Sequence, residues 1–393
     1  MRLDLFLIYV EGGELIYPWP LDWKGFPFLE LFGKPLIQHV VENFRESLAI
    51  NNIVFLHNKV LDLETRKKIS ALGIETAQLS IESSGNPSVV MQQIIEYSLA
   101  EATTDTIIMA WAHDLIGSWL LSQEIRMLNN NVLLTAKEKE YPLGLWIIKK
   151  DMKIDLIAES SLKKTKEREG KIRIIKKKDY SLIKYPWDFL KVLQKFFERV
   201  AFKYIHPEAE VSRWANIKGL VYIDRGAKIM SFASIKGPAY IGEDTIIGDH
   251  TLIRHSLIER ECVIGCHMEV ARSILQPKIE THSGYLGDSI LDENTHLGAG
   301  FISANLRLDR GEIKVNLGSR RINTGMKKLG VVVGAKANFG VSVSTMPGIL
   351  VGKRAVIGPG TILFENVPDD VVVYNKCATI IKRRKKQHLV SSS

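Results

Sequence analysis

Cysteine is scarce in this chain of 393 residues. Its three cysteines, Cys262, Cys266 and Cys377, cannot build a disulfide framework, and a reducing, cytoplasmic setting is expected. Long apolar runs are missing too. None is long enough to span a bilayer, so no membrane partner is expected. The opening MRLDLFLIYV is short, carries Asp4 and lacks a small-residue cleavage site, so it reads as a buried first strand rather than an export signal. Acidic charge is in deficit: 44 Asp and Glu against 53 Lys and Arg give a net charge of +9, which favours small anionic partners. Two basic runs, KKTKEREGKIRIIKKK (163–178) and the tail KRRKK (382–386), contain no interleaved aromatic residues. They read as a solvated loop and a solvated end, and a specific nucleic-acid surface is not indicated. The rest of the composition, 46% hydrophobic and 25% charged, is that of an ordinary globular chain long enough for two or three domains.

A repeat governs the second half. Every sixth residue from Ile205 is β-branched and aliphatic: Ile205, Val211, Ile217, Ile223, Ile229, Ile235, Ile241, Ile247 and Ile253. The pattern returns as Val333, Phe339, Thr345, Val351, Ile357 and Leu363, and Gly or Ala often follows the aliphatic. Period six is neither helix nor plain strand. It is the hexapeptide repeat of a parallel β-helix, three hexads to a triangular coil, with each aliphatic pointing inward and small residues at the tight corners. Helices of this kind are left-handed.

Between Ile253 and Val333 the register is expected to slip. There lie GCHMEVARS, HSGYLGD (282–288), HLGAG and the insertion NLRLDRGEIKVNLGSRRINTGMKKLG (305–330). Breaks in a repeat often mark function. Cys262, Cys266 and His267 have no fourth partner at zinc-site spacing, and the cysteines read as repeat positions. His282-x-x-Tyr285-x-Gly287-Asp288, followed by Gly298-Ala299-Gly300 and Asn305, resembles the acetyltransferase domain of the bifunctional uridyltransferase/glucosamine-1-phosphate acetyltransferase family. It is closer still to archaeal sugar-1-phosphate nucleotidyltransferases that carry the same domain. The resemblance implies His282 as general base. It implies Arg254, Glu269, Tyr285, Asn305 and Lys314 around a sugar phosphate, and Ala299 beside the pantetheine arm of acetyl-CoA. It also implies a homo-oligomer, a trimer in this fold. The residue types suit the chemistry: a neutral imidazole with an ordinary pKa of about 6.5 takes a proton from an attacking amine, and cations hold a phosphate. Three positions depart from the family: Ala271 replaces a sugar-binding lysine, His296 an asparagine and Val341 a serine.

In the first half, LDLFLIYV, NIVFLHN and DTIIMAWAHD have strand length, whereas PLIQHVVENF and SVVMQQIIEYSLAEA have helical spacing. Alternating strands and helices predict a mainly parallel sheet, a Rossmann-like α/β layer, with Pro35 in the first turn of a helix. FGKPLIQHVVENF and YPWDFLKVLQKFF (185–197) resemble the Gly-Lys-Pro stretch and the linker helix of sugar nucleotidyltransferases, and YPLGLWII matches one of their strands loosely. The phosphate loop departs from that family. VEGGELIYP (10–18) carries Glu11 in place of a glycine and Leu15 in place of an arginine, the usual Pro-Lys pair is replaced by a stretch with Lys24 nearby, and Asp114 is the remaining metal-binding candidate, for Mg²⁺.

The expected organisation is a degenerate nucleotidyltransferase-like α/β domain (1–184), a linker helix (185–204), a left-handed β-helix (205–376) and a basic tail (377–393). The leading expectation is acetyl transfer from acetyl-CoA to an amino-sugar phosphate or sugar nucleotide. The alternatives are NTP:sugar-1-phosphate nucleotidyl transfer dependent on Mg²⁺, and a non-catalytic assembly subunit of the kind that resembles the gamma and epsilon subunits of translation initiation factor two-B.

Overall fold

The computed structural model describes residues 3–9, 29–47, 49–57, 61, 63–79, 93–94, 96–98, 100–111, 115–116, 133–136, 145–149, 172–175, 180–181, 185–200, 203–318 and 320–376. From residue 204 onward the chain winds into a three-sided prism. Its first sheet has eight strands, from Tyr204–Ile205 to Ile349–Val351. The second has nine, from Glu210–Val211 to Val372–Val373, and the third eight, from Asn216–Lys218 to Ile362–Leu363. All neighbouring strands in these sheets are parallel. The period-six aliphatics fill the interior: Ile223, Ile229, Ile235, Ile241, Ile247 and Ile253 are fully or almost fully buried. Ile205 lies on the end coil with no coil stacked beyond it and stays 39% exposed, because burial here comes from stacking.

The expected slip between Ile253 and Val333 takes a different form. The sheets run through this region unbroken, and the coils simply shorten. A coil of 18 residues sets Tyr222 opposite Tyr240, one of 17 sets Tyr240 opposite Leu257, and one of 16 sets Ile274 opposite Ile290. The lost residues come from corners. At the corner after the third sheet, Arg254-His255-Ser256-Leu257 does the work of Lys236-Gly237-Pro238-Ala239-Tyr240. Buried serines complete the hydrogen bonding there. Ser256, Ser273 and Ser289 donate to the carbonyls two residues back, and their oxygens accept from the amides of Ser273, Ser289 and Val331 in the next coil (3.1 Å each). A buried amide without a partner is costly, so the hydroxyls make the short corner tolerable.

The N-terminal strands form a seven-stranded sheet in which Leu3–Tyr9 lies between Ile50–His57 and Thr106–Trp111, all parallel. Leu145–Lys149 runs antiparallel to both neighbours, so the sheet is mainly parallel, as expected. Asp4 is buried in the first strand because its carboxylate caps the amides of Thr103 (2.6 Å) and Thr104 (2.8 Å). Helix α1 (Leu36–Ser47) follows the hairpin Glu30–Leu31/Lys34–Pro35. Pro35 therefore closes the hairpin and does not open the helix. Phe32 and Gly33 both have positive φ (57° and 74°), a two-residue turn that pins Pro35 opposite Glu30. Helix α2 (Leu63–Ala71) precedes Glu75–Gln78, and helix α3 (Asp188–Val200) lies within the segment 185–204 read as a linker helix.

Trp187 and Phe189 of the linker share one buried cluster with Leu36 and Phe44 of the α/β layer and with Leu257, Ile274 and Ile290 on the outer face of the first prism sheet. The hairpin tip completes the docking. Gly33 N donates to Glu259 (2.9 Å), Glu30 N to Gln276 (2.8 Å), Gln276 Nε2 to the Glu30 carbonyl (2.8 Å), and Arg260 pairs with Glu30 (2.9 Å). One oxygen each of Glu30 and Glu259 is buried without a hydrogen-bond partner. Burial pushes the Glu259 carboxyl up to about 8, reinforced by the Glu30 charge and opposed by the Gly33 and Phe32 amides and Arg260. On the same face, Tyr240 lies against Phe32 and donates to Asp224 (3.0 Å).

Two outcomes are expected. Ile247→Ala should cost about 2–5 kcal/mol in denaturant melts, while Ile205→Ala on the exposed end coil should cost less than about 1 kcal/mol. The folded state holds the Glu259 proton above the pH at which an unfolded glutamate releases it. Its contribution to stability is therefore full below about 4.3 and is lost as pH rises toward and through about 8. Glu259→Gln should flatten that fall and raise Tm at pH 8.5 by roughly 2–4 °C per kcal/mol recovered.

Candidate functional site

The third sheet of the prism has a corner on each side, and the expected site residues divide between them. His282 stands at the corner entering the sheet. It directly follows the buried Thr281, in the place held by Gly248, Gly265, Gly298, Gly340 and Gly358 in other coils. Those positions are tight: a Cβ on Gly265 would lie 2.1 Å from the His282 carbonyl oxygen. The first two coils carry Ser212 and Met230 at this position, and the coil of His282 differs from all of these in having its corner cut back. Val270 follows Ile264 by six positions, but Leu286 follows Thr281 by five. The imidazole is exposed and meets the His296 ring edge-on, centroids 5.6 Å apart. Ala299 lies on the same corner one coil further on, half-buried, with exposed Val341 beyond it.

The other residues gather on the face of the sheet and at the corner leaving it. Arg254 pairs with Glu269, its Nε donating at 3.0 Å, with a second contact from Nη2. Arg272 grips Asp288 through two hydrogen bonds (2.7 and 2.6 Å), and these, with a further bond to Tyr285, raise its pKa. Asn305 donates to the Tyr285 hydroxyl (3.0 Å) and to Asp288 (2.5 Å). Tyr285 folds down over Gly287, leaving no room for a side chain there: a Cβ would meet the hydroxyl at 2.3 Å. Two guanidiniums thus face two carboxylates. His255, at the same corner, has its pKa lowered by burial and by the charges of Arg254 and Arg272.

The insertion grows from this corner and returns to it. Leu329 N donates to the Asn305 carbonyl (3.0 Å) and Gly330 N to the Asp288 carbonyl (2.8 Å). Between them rises the hairpin Lys314–Leu317/Arg320–Asn323. Its Val315 is buried in the cluster shared with the linker helix, and Lys191 of α3 bonds the Thr324 carbonyl (3.2 Å). Lys314 is exposed on this hairpin and lines a depression of about 170 Å³ with Arg307, Asn316 and Met346. Arg254, Glu269, Tyr285 and Asn305 therefore share one face, while His282 and Ala299 occupy the corner entering it and Lys314 the insertion hairpin.

Sequence reasoning passed over the role of Arg272 and Asp288 as anchors. Their signal was the triplets RHS, ARS and GDS recurring at the shortened corner. Cys262 is an interior residue: burial pushes its thiol up to about 12, and it donates to the Gln276 carbonyl (3.3 Å). Among the described residues no cluster of three or more His, Cys, Asp or Glu side chains is placed to hold a metal, and no helix is long and apolar enough to cross a membrane. Glu11, Leu15, Lys24, Asp114 and the tail after residue 376 lie outside the described residues.

No family model matches the chain. Curated relatives do. "Bifunctional protein GlmU" of Methanocaldococcus jannaschii is 27% identical over 98% of this chain and 100% of its own length. A bifunctional sugar-1-phosphate nucleotidylyltransferase/acetyltransferase of Sulfurisphaera tokodaii is 26% identical over 93% and 98%. A GlmU of Methanococcus vannielii is 33% identical over 51% of this chain and 48% of its own. Homology to archaeal bifunctional proteins of this type thus runs along nearly the whole chain. Among solved structures, CMP:2-keto-3-deoxy-manno-octonic acid synthetase complexed with CTP aligns at 15% identity, a TM-score of 0.35, 51% of this chain and 100% of that one. A mutant of perosamine N-acetyltransferase from Caulobacter crescentus, in complex with CoA and GDP-perosamine, aligns at 18%, 0.15, 47% and 62%.

The anchors make a prediction. Asp288→Ala would leave Arg272 and Asn305 without their shared acceptor and should cost about 1–3 kcal/mol in urea unfolding. Arg254→Ala, which frees a half-exposed pair, should cost less than about 1 kcal/mol.

Proposed function

We propose that this protein is an acetyl-CoA-dependent acetyltransferase acting on an amino-sugar phosphate or sugar nucleotide, with His282 as general base. The observation that carries the reading is the place of His282. One imidazole replaces a glycine of the corner column at the coil whose corner is cut back, beside a face that presents Arg254, Glu269, Tyr285 and Asn305.

In this reading the neutral imidazole takes a proton from the sugar's amine as its nitrogen bonds to the thioester carbon. The C–S bond then breaks, and the imidazolium returns the proton to the leaving thiolate, giving CoA thiol and an N-acetyl sugar. Arg254 holds the phosphate by exchanging its bond to Glu269 for one to a phosphate oxygen, Glu269 then accepts from sugar hydroxyls, and the Tyr285 hydroxyl, which accepts from Asn305, keeps its own proton to donate. The backbone at Ala299, with a single methyl side chain, borders the pantetheine arm. His282 and the cation cluster flank an open sheet face, so a neighbouring protomer of a homotrimer closes the site, and its Lys314 adds positive charge. Nucleotidyl transfer is lost in this reading, because Glu11 and Leu15 replace the phosphate-loop glycine and arginine.

With acetyl-CoA and glucosamine-1-phosphate or an amino-sugar nucleotide, thiol release is expected, and His282→Ala should lower kcat about 10²–10⁴-fold. No release with either class of acceptor would sink the assignment. Mg²⁺-dependent pyrophosphate release from NTP and a sugar-1-phosphate would instead restore the nucleotidyltransferase reading. Silence in both assays, with co-purification of a catalytic relative, would leave an assembly subunit.

A further inference from the structure

The third sheet continues for three coils beyond Glu269, toward the start of the prism, and in acetyl transfer to a sugar monophosphate only Arg254, on the first of them, has a part. Two independent features border this stretch. Along the corner entering the sheet, four planar side chains stack coil upon coil. Trp214 and Phe232 lie 6.0 Å apart at 21°, Phe232 and His250 5.0 Å at 11°, and His250 and His267 5.2 Å at 17°. Arg213 lies 4.9 Å over the Trp214 ring. The rings are not core residues: Trp214 is 56% and Phe232 54% exposed. The stack ends at His267, next to the cut-back corner of His282.

Along the opposite edge, Lys218, Lys236 and Arg254 stand in register on consecutive strands. Among the described residues no carboxylate pairs with Lys218 or Lys236, whereas Arg254 has Glu269. Between ring wall and cation wall, the floor is a column of outward side chains in register: Asn216, Ser234, Leu252, Glu269 and Tyr285. Five strands at about 4.8 Å make a trough roughly 19 Å long that ends at Tyr285, next to His282. A sugar monophosphate leaves most of it empty. A sugar joined through a diphosphate to a nucleoside supplies what each wall selects: negative charge for adjacent cations, a flat base for the rings, and hydroxyls for the amide and hydroxyl of the floor.

We propose that this trough binds the acetyl acceptor as a nucleoside-diphosphate-linked amino sugar, with the sugar over Glu269 and Tyr285, the diphosphate on Arg254 and Lys236, and the base against Phe232 and Trp214. The inference rests on the acetyltransferase reading and selects one acceptor class within it. Lys236 and Phe232 become specificity residues, and the first coils of the prism become part of the substrate site.

The test compares UDP-glucosamine with glucosamine-1-phosphate as acceptors in the acetyl-CoA thiol-release assay on the full chain. Expected are a kcat/KM at least about tenfold higher for UDP-glucosamine, and in Lys236→Ala and Phe232→Ala a KM for UDP-glucosamine raised about five- to tenfold more than that for glucosamine-1-phosphate, as loss of one charge-assisted contact or one stacked ring predicts. Equal use of both acceptors, with both variants affecting them alike, overturns the inference and leaves the acetyltransferase standing. If neither acceptor releases thiol, the acetyltransferase reading fails. Titration calorimetry with UDP and GDP then decides the trough on its own: binding weakened at least about fivefold in Lys236→Ala supports it, and no binding to the parent chain overturns it.

Discussion

Close stacking of short coils is the constraint on which this molecule depends. Each coil places one inward aliphatic per side, and the next coil follows at strand spacing, so at the corner entering the third sheet the glycines that follow the interior residue lie hard against the next coil. Gly265 shows the limit, with the carbonyl of His282 lying where its Cβ would be. Between Gly248 and Gly358 that column is glycine in every coil but one, and the exception, His282, falls on the coil whose corner is shortened. The deletion that shortens this corner and the imidazole that occupies it thus fall on one coil.

The same economy shapes the corner leaving the third sheet. Losing a residue there leaves amides that must be satisfied internally, and the serine ladder of Ser256, Ser273 and Ser289 satisfies them. Once tightened, the corner projects Arg254, Arg272 and Asp288 from successive coils and provides the base of the insertion through Gly330. Charge there is balanced before any ligand arrives, since Glu269 and Asp288 already hold the two guanidiniums. Any anion that takes Arg254 must displace the Glu269 carboxylate, which favours anions strong enough to compete.

The α/β layer reaches the prism through matching surfaces of opposite kinds. The linker helix and the outer face of the first sheet meet through apolar side chains, while the hairpin tip inserts backbone amides and a carboxylate against Glu259, Arg260 and Gln276. Among the described residues this covers outward side chains of the first sheet, while the second and third sheets keep open faces, the third being the one beside His282.

Period-six spacing from Ile205 to Ile253 determined the prism without any coordinates, because only a stacked triangular coil buries every sixth residue. Strand-length runs such as LDLFLIYV likewise determined the parallel α/β layer. The motif from His282 to Asp288 stood out because its spacing departs from the repeat, and the structure has a shortened corner there. Sequence could not say that the register survives the motif, because a missing corner residue and a broken sheet look alike in one dimension. Nor could it separate His282 from Arg254 by the width of a sheet, show that Arg272 and Asp288 anchor Tyr285 and Asn305, or place Lys314 on a hairpin folded toward the linker. Those facts depend on which coils lie over one another, and residues 16 to 18 apart become neighbours only when the prism closes.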